Sequence, residues 1–185
     1  MSSSEPAFAA SLRPRRLPAG RTAVVALAAL VALTGCTVQP LYGAAPSGQA
    51  VPTVISRIGI APVDTRLAQR VRNALVFKLD GGTEPAEPAY TMALIVTSTQ
   101  TALGVTPIES APSYSLTVSV TYEVKSVATG KIVLRDTSRG SASYNRTMQE
   151  YGNQRAELDA ENRAAEVAAE DVRLRLATAA AKGVL

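Results

Sequence analysis

The stretch Tyr114-Ser-Leu-Thr-Val-Ser-Val-Thr-Tyr-Glu-Val-Lys125 alternates between apolar and polar side chains without a break. Tyr114, Leu116, Val118, Val120, Tyr122 and Val124 take one set of positions; Ser115, Thr117, Ser119, Thr121, Glu123 and Lys125 take the other. Successive side chains of a strand point to opposite faces, so this period predicts a strand with one face in a core and the other in water.

The neighbouring segments follow from it. Ala128-Thr129-Gly130 can form a three-residue hairpin loop with Gly130 in the left-handed region. That register sets Val124 opposite Leu134 on the inner face and Glu123 opposite Arg135 on the outer, whereas a one-residue slip would put Val124 against Arg135. The strand returning from Lys131 to about Tyr144 turns polar after Leu134, which predicts that it lies at an edge or leaves the core. Upstream, Tyr90, Met92, Leu94 and Val96 alternate with Thr91, Ala93, Ile95 and Thr97 in a strand running toward Gln100. The connection from Leu103 to Pro112 contains Gly104, Pro107 and Pro112, with Val105 and Ile108 apolar for a solvated turn.

Two segments have helical periodicity. Asp64 offers an N-cap, and Leu67, Val71, Leu75 and Leu79 then recur every four residues among Arg66, Arg70, Arg72 and Lys78, up to Gly81-Gly82. From about Gln149 to Ala181 the composition turns to Ala, Glu and Arg, with Asp159/Arg163 and Asp171/Arg175 spaced for ion pairs and an apolar stripe of Leu158, Ala165, Val172 and Leu176. Thr147 to Glu150 reads as a capping box, unless Gly152 delays the helix by a turn. The β-branched stretch Val54 to Val63 reads as a first strand, and Thr83 to Pro88 as an acidic, Pro-rich loop. The order β-α-β-β-β-α predicts an α/β two-layer sandwich, a four-stranded sheet with both helices packed on one face.

The N-terminal region has a different character. Arg13, Arg15, Arg16 and Arg21 precede the wholly apolar run Ala23 to Leu33, about half the length of a membrane-spanning helix. This is the layout of an export signal. It ends in Leu33-Thr34-Gly35-Cys36, which resembles the bacterial lipobox, where a diacylglycerol is added to the Cys sulfur, the chain is cut before the Cys and the new amino group is acylated. Thr37 resembles the sorting rule for the outer membrane. The expected organisation is a removed signal over 1–35, a lipidated N-terminus and tether over 36–53, and one domain over 54–185.

Composition excludes much chemistry. The 185 residues include no histidine, so no Ser-His-Asp triad, imidazole base or His-ligated metal can be built from this chain alone. The single cysteine, Cys36, allows no intramolecular disulfide and no thiolate metal cage. No cofactor is expected beyond covalent lipid on Cys36. The formal charge of +4 belongs mostly to the signal, because removing Arg13, Arg15, Arg16, Arg21 and Glu5 leaves 15 basic against 14 acidic residues. An acidic partner must then be met by locally placed cations rather than by a global field.

The stretch Gly35-Cys36-Thr37-Val38-Gln39-Pro40-Leu41-Tyr42-Gly43 is similar to the start of mature LptE, the lipopolysaccharide (LPS) assembly lipoprotein, in its alphaproteobacterial form. Arg70-x-Arg72-Asn73-Ala74-Leu75, Tyr90, Tyr144-Asn145, Asp159-Ala160 and Arg163-Ala164-Ala165 resemble that family in the same order. The resemblance implies a two-layer α/β fold and an outer-membrane lipoprotein that sits inside and stabilises the LptD barrel and helps place LPS in the outer leaflet. The missing histidines favour a binding and assembly role over catalysis, so no enzyme activity is expected, and an exported chain meets no nucleic-acid partner.

Lys125, Arg135 and Arg139, on the wet face of strands three and four, are the candidate contacts for lipid phosphates; the alternative is a solvated face with Arg135 paired to Glu123. Val105 and Ile108 are candidate barrel contacts, or fold back onto their own core. Arg66, Arg70 and Arg72 read as a solvated helix face, with barrel contact as the alternative. A competing function is an accessory lipoprotein of an ABC-type envelope lipid transporter, which would share the signal, the size and the α/β content. A histidine-free periplasmic hydrolase is disfavoured by the lack of a clustered acid pair at a strand end.

Overall fold

The strictly alternating strand lies inside the sheet, where both of its edges can be hydrogen-bonded. In the computed structural model, which describes residues 48, 50–103 and 113–185, the elements run α1 (Val51–Ile55), β1 (Ile58–Ile60), α2 (Arg66–Asp80), β2 (Tyr90–Leu103), β3 (Ser113–Ser126), β4 (Ile132–Asn145) and α3 (Glu150–Ala181). The sheet order is β1-β2-β3-β4, with β1 parallel to β2 and the other pairs antiparallel. This is the expected α/β sandwich with one additional helix at its start.

The hairpin register is the one that burial demands. Val124 pairs with Leu134 and Glu123 with Arg135, and the pairing continues to Tyr114 opposite Tyr144. The turn differs from expectation: Lys125 pairs with Ile132, so Val133 is the extra residue of a bulge, and the Ser126 N–H donates to the Lys131 carbonyl at 2.9 Å, which leaves a loop over 127–130 in place of 128–130. Gly130 takes the left-handed conformation at φ 68°. β4 is an edge strand, as its polarity predicts, but it stays paired with β3 along its whole length.

The core lies between the sheet and the helices. Met92 from β2, and Leu116, Val118, Val120, Tyr122 and Val124 from β3, are buried against Val71, Leu75 and Leu79 of α2 and Ala165, Val172 and Leu176 of α3. Each fully buried Val or Leu contributes on the order of 2 kcal/mol. The stripe on α3 differs from the expected one at its first member. Leu158 is exposed, and the buried surface is mostly alanine: Ala160, Ala164, Ala165, Ala168, Ala169, Ala177, Ala179 and Ala180. Small side chains let the helix axis approach the sheet, and β4 answers with Ser138, Gly140 and Ala142 on its inner face.

Three element ends also differ from expectation. Val51 to Ile55, read as tether and strand, form a short helix with Pro52 in its first turn, because Val51, Val54 and Ile55 bury as one face against the core. Thr65, not Asp64, caps α2, its side chain accepting from the Ala68 N–H at 3.2 Å. α3 starts at Glu150 without a capping box and without the delay Gly152 suggested. Buried Asn153 takes the cap's place: its Oδ1 accepts from the Thr147 N–H at 2.7 Å and its Nδ2 donates to the Thr147 carbonyl at 2.9 Å.

Candidate functional site

Both helices pack on one side, so the opposite face of the sheet is open. Register and side-chain alternation place Thr97, Thr99 and Thr101 of β2, Ser115, Thr117, Ser119 and Thr121 of β3, and Thr137, Ser141 and Ser143 of β4 on that face. Hydroxyls bond across the strands, Thr121 to Thr137 at 3.0 Å and Thr117 to Ser141 at 2.9 Å. Ile95 is 68% exposed among them.

Lys125, Arg135 and Arg139 all lie on this open face, with Arg135 and Arg139 set apart along β4. Arg135 pairs with Glu123 at 2.7 Å. Arg139 is exposed opposite Ser119, four residues farther along β4, roughly 13 Å from Arg135 at about 3.3 Å per residue. Among the described residues neither Lys125 nor Arg139 has an ion-pair partner. Arg135 and Arg139 are spaced for separate phosphates on a surface rather than for a clamp around one.

Arg66 and Arg70 of α2 stay half exposed, as a solvated face would, but each is paired, and Arg72 is not part of that face. Arg66 pairs with Glu161 of α3, Arg70 with Glu166 at 3.1 Å, and Lys78 with Glu170 at 3.3 Å, so α2 and α3 run in the same direction with charges stitched between them. Arg72 turns inward, donating to the carbonyls of Ile60 at 3.2 Å and Ala61 at 3.3 Å and pairing with Glu84 at 2.5 Å. Arg72 thus ties α2 to the chain after β1, while the exposed pairs of Arg66 and Arg70 contribute under about 1 kcal/mol each.

α3 begins eleven residues before the level at which α2 starts, since Glu161 faces Arg66. Over that span the distal half of β2 has no helix above it. A groove of about 500 Å³ opens there, with Ser98, Gln100 and Leu116 as floor and Gln154, Glu157, Leu158 and Glu161 as wall. At its end Tyr114 stacks on Tyr144 with centroids 5.7 Å apart, Arg146 sits 5.7 Å over the Tyr114 ring, and Gln100 Nε2 donates to the Tyr144 hydroxyl at 2.7 Å. Burial and the nearby Glu157 carboxylate push the Tyr144 pKa up. Tyr122 is fully buried and Tyr114 half-buried. Sequence reasoning missed the Tyr114–Tyr144 pair, although extending the Val124–Leu134 register ten residues would have found it.

Cys36, Val105 and Ile108 lie outside the described residues. Among the described residues no cluster of acids, Cys and His could hold a metal, and no helix is long and apolar enough to cross a membrane.

Residues 53–176 match the model of the family described as LptE: Lipopolysaccharide-assembly. The chain belongs to the LptE family. Its fold is similar to that of a candidate lipoprotein from Caulobacter crescentus CB15, at 23% identity and a TM-score of 0.57, covering 69% of this chain and 93% of that one. It is also similar to a minor lipoprotein from Acinetobacter baumannii, at 16% identity and a TM-score of 0.50, covering 68% and 94%. No curated protein matches the chain. The LptE family is one of LPS assembly.

Proposed function

We propose that this LptE-family chain is an outer-membrane lipoprotein, held at the periplasmic face through lipid on Cys36, that binds and stabilises the LptD barrel and assists assembly of LPS at the outer-membrane surface. The observation that carries the reading is the family match over residues 53–176. The sequence Leu33-Thr34-Gly35-Cys36 after a short apolar run supports the lipid anchor and removal of residues 1–35. Each buried CH₂ contributes about 0.8 kcal/mol, and two or more chains hold a protein firmly.

Lys125, Arg135 and Arg139 are the proposed contacts for lipid phosphates, and Val105 and Ile108 the proposed contacts with the barrel. The first three share the open sheet face, where a broad anionic surface can reach them without displacing a helix. The added group is the covalent lipid, and the role is binding and assembly.

Affinity purification from detergent-solubilised outer membrane tests the reading. A large heat-modifiable barrel is expected to co-purify, and Cys36→Ala is expected to release the protein from the membrane fraction. Recovery of an ATPase in place of the barrel would sink it.

A further inference from the structure

The two edges of the sheet are treated very differently. On the β4 side α3 lies alongside, and Arg163 Nη2 donates to the outward carbonyl of Ser143 at 3.0 Å. On the β2 side the covering strand is β1, which pairs only with Tyr90, Thr91 and Met92 of a fourteen-residue strand. The last bond on that edge runs from the Ala61 N–H to the Met92 carbonyl at 2.8 Å, after which the chain leaves through Pro62. Backbone groups alternate between the two edges of a strand. Met92 faces outward, so Leu94, Val96, Ser98, Gln100 and Ala102 turn both N–H and C=O to the same side. Among the described residues nothing pairs with them.

A long bare edge is a template for another strand, and soluble proteins usually blunt it with charge, proline or a bulge. From Leu94 to Leu103 β2 carries none of these. The edge also borders the groove. Ser98 and Gln100 are part of its floor, and Leu116, Leu158, Glu157 and Glu161 lie behind them. Glu161 is engaged by Arg66, whereas Glu157 has no cationic partner among the described residues.

We propose that the outer edge of β2 from Leu94 to Ala102 is a docking site for an extended polypeptide segment of a partner, added as a fifth strand, with apolar and basic side chains alternating on its helix-side face. Main-chain hydrogen bonds supply the attachment and the groove supplies the selectivity, an apolar side chain meeting Leu116 and Leu158 and a Lys or Arg meeting Glu157. A second copy of this chain is a poorer occupant, because β2 itself has no basic residue to offer that carboxylate. The inference is independent of the barrel reading, since it rests on backbone pairing and on the charge of the groove.

The test uses the purified mature chain in nonionic detergent and two synthetic peptides, one repeating Val-Thr-Lys-Thr so that Val and Lys take turns on one strand face, and its counterpart repeating Val-Thr-Glu-Thr. The Lys peptide is expected to bind at least tenfold more tightly and to slow amide exchange at Leu94, Val96, Ser98 and Gln100. Ser98→Pro removes an outward N–H without touching the β2–β3 ladder and is expected to abolish binding. Glu157→Lys, on the surface of α3, is expected to reverse the preference between the peptides. Equal affinity for both peptides, full binding by Ser98→Pro, or exchange at those four amides already slow in the isolated chain would each overturn the proposal. So would protection that appears only as the protein self-associates.

Discussion

Gly140 of β4 lies directly against the backbone of Ala164 in α3, so close that a Cβ on Gly140 would overlap the Ala164 carbonyl oxygen and the Ala168 amide nitrogen. The clash would be with backbone on a helix already seated on alanines, so no side chain can rotate away. Gly140→Ala is therefore expected to destabilise the domain by about 3 kcal/mol, the upper end of ordinary overpacking. Gly152→Ala makes the same chemical change inside α3 with only Gln149 Cβ at 3.8 Å, and is expected to stabilise by roughly 0.5 kcal/mol. Urea midpoints of the two variants should move in opposite directions.

The Tyr122 hydroxyl is buried without a hydrogen-bond partner, as is Ser138 Oγ nearby. Burial, aided by the negative charge of Asp136, raises the Tyr122 pKa from 10.0 to about 12. The folded state thus holds this proton more tightly than the unfolded chain. Its contribution to stability is whole below pH 10 and is lost as pH rises through 12, a fall of about 3 kcal/mol in total. Tyr122→Phe should remove that alkaline loss. At neutral pH it is expected to be neutral or to gain up to about 1 kcal/mol, because it deletes a desolvated group that makes no bond. Unfolding curves at neutral pH and at about pH 11 check both signs.

Asp136 is held below the usual carboxylate range by its bond from Arg175 at 2.8 Å and by the Thr137 N–H. Its folded pKa is depressed, so the stabilisation is present above pH 3.8 and is lost as pH falls through the folded value. Both partners are more than a third exposed, which limits the pair to under about 1 kcal/mol. Asp136→Asn should cost that little, and it should also bring the Tyr122 titration downward by removing a neighbouring negative charge. Absorbance titration of the tyrosines would detect the second effect even where the first is too small to measure.

Helix α3 begins at a side chain rather than at a cap. Asn153→Ala leaves the Thr147 N–H and carbonyl without partners in a half-buried site, and a cost of about 2 kcal/mol is expected. Asn153→Asp keeps the acceptor and loses the donor, so its cost should fall between zero and that of alanine. Faster amide exchange over the first turn of α3 would locate the damage. No change in that turn would assign the start of the helix to its packing alone.

What was legible in the sequence depended on contrast between faces. β3 could be read because its outer positions are Ser, Thr, Glu and Lys, and the β3–β4 register followed because only one pairing keeps Val124 away from Arg135. The inner face of β4 was not legible. Ser138, Gly140 and Ala142 look polar or neutral in sequence, yet they are small because α3 comes close, a constraint that exists only in three dimensions. Val51 to Ile55 failed for the opposite reason, since Pro52 marks a tether and β-branched Val54 and Ile55 favour a strand, and packing overrules both in a five-residue helix. The groove depends on α2 starting later along the sheet than α3, an offset that no local pattern encodes.

The open-face cations should not contribute equally to LPS binding. Arg135 shares its charge with Glu123 at 2.7 Å, while Arg139 has no such neighbour among the described residues. Under the proposed function, Arg139→Ala should weaken equilibrium binding to LPS more than Arg135→Ala does. Glu123→Gln should strengthen it by releasing Arg135 and removing a like charge from the approaching phosphates. These side chains are exposed, so their unfolding midpoints should stay within about 0.5 kcal/mol of the parent. The ranking is the informative quantity, because a generally sticky basic surface would lose similar affinity at either arginine and gain little from Glu123→Gln. If Lys125→Ala, Arg135→Ala and Arg139→Ala combined left LPS binding unchanged, the open face would be excluded as the contact surface.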